Sequence, residues 1–448
     1  MNFFAILLII CYQSALPEDI LFETLLRTSH KKLLNTRFSI PTRFIGTETV
    51  WYSNCMNYAF STNFEYYYDS AGTFDFYPRL LYTHDNLGIV VEPLFRLGKV
   101  RGWPSAKWQN VLCGAYSRAY LYYEPQNFMF MVGRNKIQLN LEGLMAEEDP
   151  PLDGFLSIFK GKKFNFSFYL GQLDSKVPTD TSKYYEIGKL YNRYLSLHSL
   201  EFKMNRLTVS FTEVALHYSN TNMPDWYFLN PFMIYHPRVL DSREGGEHNV
   251  FWIFAANYWG EKFSSHIELL IDDFHLPDPD QWAPHKLGWI CKSYFVDFPL
   301  RESVSGIAYT GATRWTYTHG LSLLYYNNRG EVMGALNEND FDKIEIFTRK
   351  HLSKRFDLKT SFWFKRKGEA AAEEKDIYWE RGLDYPREYF LTGIVEKRFG
   401  SGIEFDYHTS RFVIRSTLEY DWIWNYKHIN GNKGNELRLK LYGSAGIF

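Results

Sequence analysis

Between Arg193 and Tyr218 the chain reads RYLSLHSLEFKMNRLTVSFTEVALHY, two alternating apolar and polar stretches that fold back through Asn205-Arg206. Alternation with period two marks a strand with one greasy and one wet side. Pairing about that two-residue turn sets Met204 opposite Leu207, Phe202 opposite Val209 and Leu200 opposite Phe211 on one face. Lys203/Thr208, Glu201/Ser210 and Ser199/Thr212 fall on the other. The same register sets His198 opposite Glu213, and there the pattern changes phase, with Leu197/Val214 and Leu195/Leu216 continuing the apolar series on the opposite face. A charge facing hydrocarbon costs on the order of 2 to 4 kcal/mol near the midplane of a membrane barrel. The hairpin is therefore expected to turn its Met204 to Phe211 face inward, against a plug, and to hold His198-Glu213 in the lumen as a hydrogen-bonded polar pair. Leu195, Leu197, Val214 and Leu216 would then face lipid, with Glu201 and Lys203 near the periplasmic interface.

Similar alternation recurs in Gly88 to Phe95, Tyr116 to Tyr123, Lys163 to Gly171, His266 to Asp272, Lys286 to Val296 and Gly306 to Trp315. It continues in Leu321 to Tyr326, Phe356 to Phe364, Tyr389 to Val395, Phe412 to Tyr420 and Leu437 to Phe448. The total comes to between roughly fourteen and eighteen strands, with an even number expected of a single-chain bacterial barrel. The turns at Asn205-Arg206 and Gly260-Glu261 are expected at the periplasmic end, and Ser219 to His248 and Asp273 to His285 at the extracellular end. Lys365 to Pro386 and Gly431 to Asn435 fit neither side without merging a strand. Before the strands, residues 16 to 36 place Ile20, Leu21, Leu25, Leu26, Leu33 and Leu34 near helical spacing, with acids early and Lys31-Lys32 late.

Composition agrees with strands in a membrane. Aromatic residues make up 19% of the 448 residues while charged residues keep 23%, as expected of a barrel with aromatic girdles and a polar lumen. Residues 1–15 carry an apolar core from Phe3 to Cys11, too short to span a bilayer, and read as a secretory signal peptide. The expected organisation is a leader over 1–15, a helical segment plugging the periplasmic end over 16–48, and the barrel with its extracellular loops over 49–448. Cys55, Cys113 and Cys291 remain after the leader and read as small buried hydrophobes. A net charge of -1 carries no footprint for nucleic acid. The terminal Phe448 is the kind of residue that barrels present to their assembly machinery.

Two loops carry candidate chemistry. Trp226, Tyr227, Asn230, Tyr235 and Arg238 put flat rings beside amide and guanidinium groups, which suits sugars whose C–H faces stack and whose hydroxyls need directional partners. The same rings would also pack the loop into the barrel mouth. Asp272, Asp273, His275, Asp278, Trp282 and His285 form a second patch, from which Trp282 is a further glycan-binding candidate. No glycine stands where a calcium loop needs its turn, so neither a metal nor a cofactor is expected. His408-Thr409-Ser410 reads as surface polarity, and no nucleophile elbow or phosphate-binding glycine motif is present, so no enzyme is expected.

From about Phe128 to Lys292 a set of fragments resembles the Wzi-like capsule-assembly family of outer-membrane proteins. They are Gly133-Arg134, Ser196-Leu197-His198, Glu213, Asn230-Pro231, Asn249, Glu268 and Asp272-Asp273, in shared order and spacing. The resemblance implies an all-β, transmembrane antiparallel β-barrel of about 18 strands, closed at its periplasmic end by a small N-terminal helical plug. It further implies a lectin-like surface protein that tethers polysaccharide in the bacterial outer membrane, surrounded by lipid and lipopolysaccharide. The continuation after Arg134 and the extracellular loops depart from the family, so glycan specificity is not implied. A barrel of this width is also compatible with a channel.

Overall fold

The computed structural model describes residues 58–447, apart from loop stretches of which 99–102, 137–143, 145–149, 179–185, 242–247, 275–282 and 372–384 are the longer ones, and a few shorter gaps. The signal peptide and the helical segment over 16–48 lie outside the described residues, as do Cys55, His275, Asp278 and Trp282.

Long strands follow one another as β1 Tyr58–Tyr68, β2 Thr73–His84, β3 Leu87–Gly98, β4 Leu112–Tyr123, β5 Phe128–Asn135 and β6 Leu152–Lys160. Then come β7 Phe164–Gln172, β8 Asn192–Met204, β9 Leu207–Ser219, β10 His248–Trp259, β11 Phe263–Asp273 and β12 Lys286–Val296. The last are β13 Ser303–Ala312, β14 Phe341–Ser353, β15 Phe356–Lys367, β16 Glu396–His408, β17 Phe412–Trp424 and β18 Lys433–Ile447. Each pairs antiparallel with its chain neighbours, and β18 pairs back onto β1, with Phe60 opposite Ile447 and Tyr68 opposite Leu439. The ring of pairings is complete, which leaves no long strand with a free edge at its centre.

Connections alternate between two ends. Residues 85–86, 124–127, 161–163, 205–206, 260–262, 297–302, 354–355 and 409–411 turn at one end, and the long connections 99–111, 136–151, 173–191, 220–247, 274–285, 313–340 and 368–395 all lie at the other. Short turns mark the periplasmic end of such barrels and long loops the extracellular end. The two stretches that sequence left without a side, 365–386 and 431–435, both fall at the extracellular end, because β16 and β17 run between them. Tyr389 to Val395 is not a strand, and Leu321 to Tyr326 holds a 3-10 turn over Ser322–Leu324 instead of a strand.

Side chains alternate across the wall as the pleat requires. Outward positions are apolar and exposed, among them Leu80, Ile89, Leu97, Val132, Phe254, Ile267, Ile346, Phe362, Ile403 and Leu418. An apolar surface on this scale is stable against lipid, not water. Inward positions near the periplasmic end are polar and bonded to one another: Asn165 donates to Glu201 over 2.7 Å, and Lys203 donates to Asn165 over 2.9 Å. Cys113 is buried as expected, but Cys291 is exposed on the outward side.

The opening hairpin keeps its predicted register residue by residue, including Met204 opposite Leu207 and His198 opposite Glu213. Its orientation is the reverse of the expected one. Phe202 and Met204 are exposed on the outer surface, while Leu195, Leu197, Val214 and Leu216 point inward and are fully buried in the main apolar cluster. Glu201 and Lys203 face the lumen.

At Gly133 in β5 the backbone takes φ +126, and an added Cβ would lie 2.3 Å from the Ala119 carbonyl oxygen. Only glycine fits both constraints. Gly133→Ala is expected to cost at least about 1 kcal/mol through its strained backbone, read as a lower urea midpoint for the folded, heat-modifiable band; an unchanged midpoint contradicts the assignment.

Candidate functional site

Two places concentrate the polar and aromatic residues singled out from sequence: the upper lumen, and the outer wall around His198 and Glu213.

The upper lumen is occupied by the connection 313–340, which leaves β13 at the extracellular end and folds inward. Its Tyr317, Leu321, Leu323, Leu324 and Tyr326 are fully buried and share one cluster with the inward Leu195, Val214, Phe251, Ile253 and Leu270 of the wall. Tyr326 meets Phe251 edge-on at 5.1 Å and stacks on Tyr317 at 5.9 Å. The wall supplies hydrogen bonds that the infolded backbone needs, because a buried carbonyl or N–H without a partner is costly. Arg193, fully buried on β8, donates to the Leu323 carbonyl over 2.7 Å and the Tyr325 carbonyl over 2.5 Å, and pairs with Asp174 at 2.8 Å. Asn249 reaches the Leu324 carbonyl at 3.4 Å, and Asp272 accepts the Tyr317 N–H at 2.8 Å. From a second extracellular connection Leu144 joins the cluster, its N–H donating to Glu268 over 3.2 Å and its carbonyl accepting from the Tyr317 hydroxyl over 2.8 Å. Three of the positions that carried the family resemblance, Asn249, Glu268 and Asp272, are thus brought together as anchors of the infolded loops. Asp273 instead pairs with Lys286 at 2.7 Å.

Beyond the apolar cluster the lumen is charged. Across β14 to β18 a cavity of about 360 Å³ is lined by Lys343, Glu345, Trp363, Arg398, Asp421 and Arg438. Deeper in the wall Arg349 and Arg415 both bond Asp406.

On the outer wall, His198 and Glu213 do lie side by side, with Nε2 3.2 Å from Oε2, but they face outward, not into the lumen. The energetic objection to a lipid-facing carboxylate is met differently from expectation. The connection after β9 comes down over this patch as a strap carrying α1 Trp226–Leu229 and α2 His236–Asp241. Phe228 and Tyr235 of the strap are buried against Ala215, and Phe228 stacks on His217 at 4.3 Å. Glu213 accepts the Tyr235 N–H at 2.6 Å, the His236 N–H at 3.1 Å and the Trp252 indole N–H at 3.0 Å. Ser196 Oγ lies 3.1 Å from His217 Nε2 beneath it. Burial and then the Glu213 charge push the Tyr235 phenol above its ordinary value.

The glycan-binding candidates from sequence mostly build this strap. The Tyr227 hydroxyl donates to the Ile234 carbonyl over 2.6 Å, the Asn230 side chain accepts the Phe232 N–H at 3.1 Å beside half-buried Pro231, and Arg238 lies over the Tyr227 ring at 5.4 Å. Trp226, at 75% exposure, offers an open ring. Arg134 on β5 pairs with Asp153 at 2.5 Å near the extracellular rim.

A further feature was missed from sequence. Connection 313–340 ends in a small hairpin, Asn327–Asn328 against Glu331–Val332, whose turn residues Arg329 and Gly330 take φ 55 and 84. It carries the Arg329 guanidinium over the Trp103 ring at 5.0 Å. Asn and Gly around two turn residues of positive φ are a hairpin signal that the sequence did carry.

No family model matches the chain, and no curated protein matches it. Solved structures do. Wzi of Escherichia coli, described as an outer-membrane protein involved in group 1 capsule assembly and a carbohydrate-binding β-barrel, is similar over 87% of this chain and 84% of its own, with TM-score 0.57 and 9% identity. OccD3 (OpdP) of Pseudomonas aeruginosa covers 88% of this chain and 91% of its own at TM-score 0.51 and 10% identity. A variant of OccD1 (OprD) covers 88% and 96% at TM-score 0.50 and 10% identity. What is shared at such identities is the fold of outer-membrane β-barrels. With the apolar outer surface, it places the chain in the bacterial outer membrane.

Proposed function

We propose that the chain is a non-catalytic surface protein that binds polysaccharide, of capsule or exopolysaccharide type, on the extracellular end of a self-closed barrel. The observation that supports it most is the infolded connection 313–340, which packs the upper lumen with buried aromatic and aliphatic side chains and leaves the loops as a platform. Trp226, exposed on the strap, is a ring available to a sugar face. The printed description of Wzi as carbohydrate-binding accords with this reading. Lipopolysaccharide and membrane lipid are its surroundings, and the barrel assembly machinery its partner in biogenesis.

The test has two parts. Purified protein in planar bilayers is expected to be nearly silent, and in detergent it is expected to co-sediment with purified capsular polysaccharide, more weakly after Trp226→Ala. Steady conductance without polysaccharide binding would overturn the reading in favour of a channel, for which the charged cavity beside β14 to β18 is the supporting observation.

A further inference from the structure

The wall of the barrel is incomplete at one place. Strand β4 pairs with β3 along one edge from Leu112 to Tyr123. On its other edge Ala119 to Tyr123 pair with β5, and Leu112-Cys113 pair with the short strip Trp108-Lys107. Between these, Gly114 to Arg118 carry no strand partner on that edge among the described residues. A groove of about 780 Å³ occupies the interval. One side is apolar and faces outward: Phe95 and Tyr116, both exposed, with Pro93 and Gly114. Trp103 and the two cations Arg134 and Arg329 line the other.

Charge in this groove is unbalanced. Arg134 has Asp153 as its partner, whereas Arg329 is paired with no carboxylate among the described residues and lies over Trp103. Burial and then the nearby Arg134 hold the Arg329 guanidinium below its ordinary value, as for a cation short of a counter-ion. The hairpin that brings Arg329 here is tied in place, since Glu331 accepts the Trp103 N–H at 3.3 Å.

Height decides what kind of anion fits. Leu97, Trp108 and Val111 stand beyond Phe95 and Tyr116 toward the extracellular end, and all three are exposed and apolar. The groove therefore lies within the lipid-facing band, close under its outer rim, where head groups meet acyl chains. A soluble sugar chain in the medium would not reach that level without crossing apolar surface.

We infer that this notch in the β4/β5 wall is a binding site for an anionic lipid of the outer leaflet, its phosphorylated head group held by Arg329 and Arg134 and its acyl chains lying along Phe95 and Tyr116. Arginine forks suit phosphate oxygens. The Trp103 ring stacks Arg329 into a fixed direction and offers its edge to a sugar ring of the head group. The site is independent of the polysaccharide reading, because it faces the membrane and shares no residue with the strap.

Native mass spectrometry of the full chain released from detergent micelles tests this, with diphosphorylated lipid A, the same lipid without its phosphates, and a soluble acidic oligosaccharide as probes. One lipid A adduct per barrel is expected, weakened about tenfold by Arg329→Gln and also by removal of the phosphates, since charge-assisted hydrogen bonds to phosphate are lost in both cases. Arg134→Gln provides a second reading should the first variant fold poorly, and Arg206→Gln in a periplasmic turn is the unaffected control. Equal adducts with and without phosphates, or with and without the two arginines, overturn the proposal. So does displacement of lipid A by the oligosaccharide, which would make the notch a polysaccharide site.

Discussion

Removal of Thr318 to Met333, closed by a short glycine-serine link, is expected to turn a nearly silent barrel into a conducting one. The cut is geometrically mild, because Gly334 already lies against the Tyr317 ring, where an added Cβ would come within 2.4 Å. What leaves is the packing that fills the upper lumen, Leu321, Leu323, Leu324 and Tyr326 against Phe251 and the inward leucines of β8 and β9. What stays is an eighteen-stranded ring, a size that leaves an aqueous channel when nothing fills it. Single-channel conductance in planar bilayers should rise at least about tenfold, as for porin-sized barrels with a water-filled lumen. A milder version keeps the loop and removes its anchor. Arg193→Met leaves the Leu323 and Tyr325 carbonyls without their donor, and brief openings are expected where the full deletion gives steady ones. A deletion variant that folds and stays silent would refute closure by connection 313–340 alone and return the closing role to residues 16–48.

The hairpin shows which parts of this architecture are legible in the chain. Its register was readable to the residue, because a two-residue turn at Asn205-Arg206 and strict alternation permit one pairing, and Asn205 takes the left-handed φ of 49 that asparagine tolerates. Its orientation was not readable. The argument that a carboxylate must avoid lipid is sound, but turning the face inward is one solution and covering it is another, and the cover comes from Tyr235 and His236, well along the chain from Glu213. The phase change at His198 and Glu213 therefore marks where the outer wall gains a lid and where the inner wall gains a plug. The strand Glu396–His408 escaped notice for a different reason. Gly400 and Gly402 replace inward side chains beneath the Trp363 ring, and Arg398, Glu404 and Asp406 line a charged lumen, so the stretch lacks a conspicuous greasy face. Leu321 to Tyr326 misled in the opposite sense: a loop buried in a lumen carries the apolar content of a strand. The Trp103 and Arg329 groove was beyond reach, since its two sides meet through a contact spanning 228 positions.

Glu213→Ala is expected to release the strap from the outer wall. The Glu213 carboxylate is fully buried and holds three donors, the Tyr235 and His236 N–H groups and the Trp252 indole, besides its contact with His198. Alanine leaves those donors without an acceptor in a place that water enters poorly, and each unmet buried donor costs about 1 to 3 kcal/mol. Together they amount to several kcal/mol, roughly the scale on which a surface segment opens without the barrel unfolding. The barrel itself should persist, because the β8, β9 and β10 ladders do not pass through Glu213 Oε1 or Oε2. Limited proteolysis is expected to cut the variant within 220–247 at concentrations that leave the parent intact, while heat-modifiable migration stays unchanged. Glu213→Gln separates hydrogen bonding from charge: its amide oxygen can accept from one or two of the donors, so an intermediate cleavage rate is expected. Exposure of the strap also uncovers His198, His217 and Ser196 on the outer wall, and with them a polar notch in the lipid-facing surface. Equal protease resistance of Glu213→Ala and the parent would show that the aromatic contacts of Phe228 and Phe232, the latter stacked on Phe166 at 5.6 Å, hold the strap without the carboxylate.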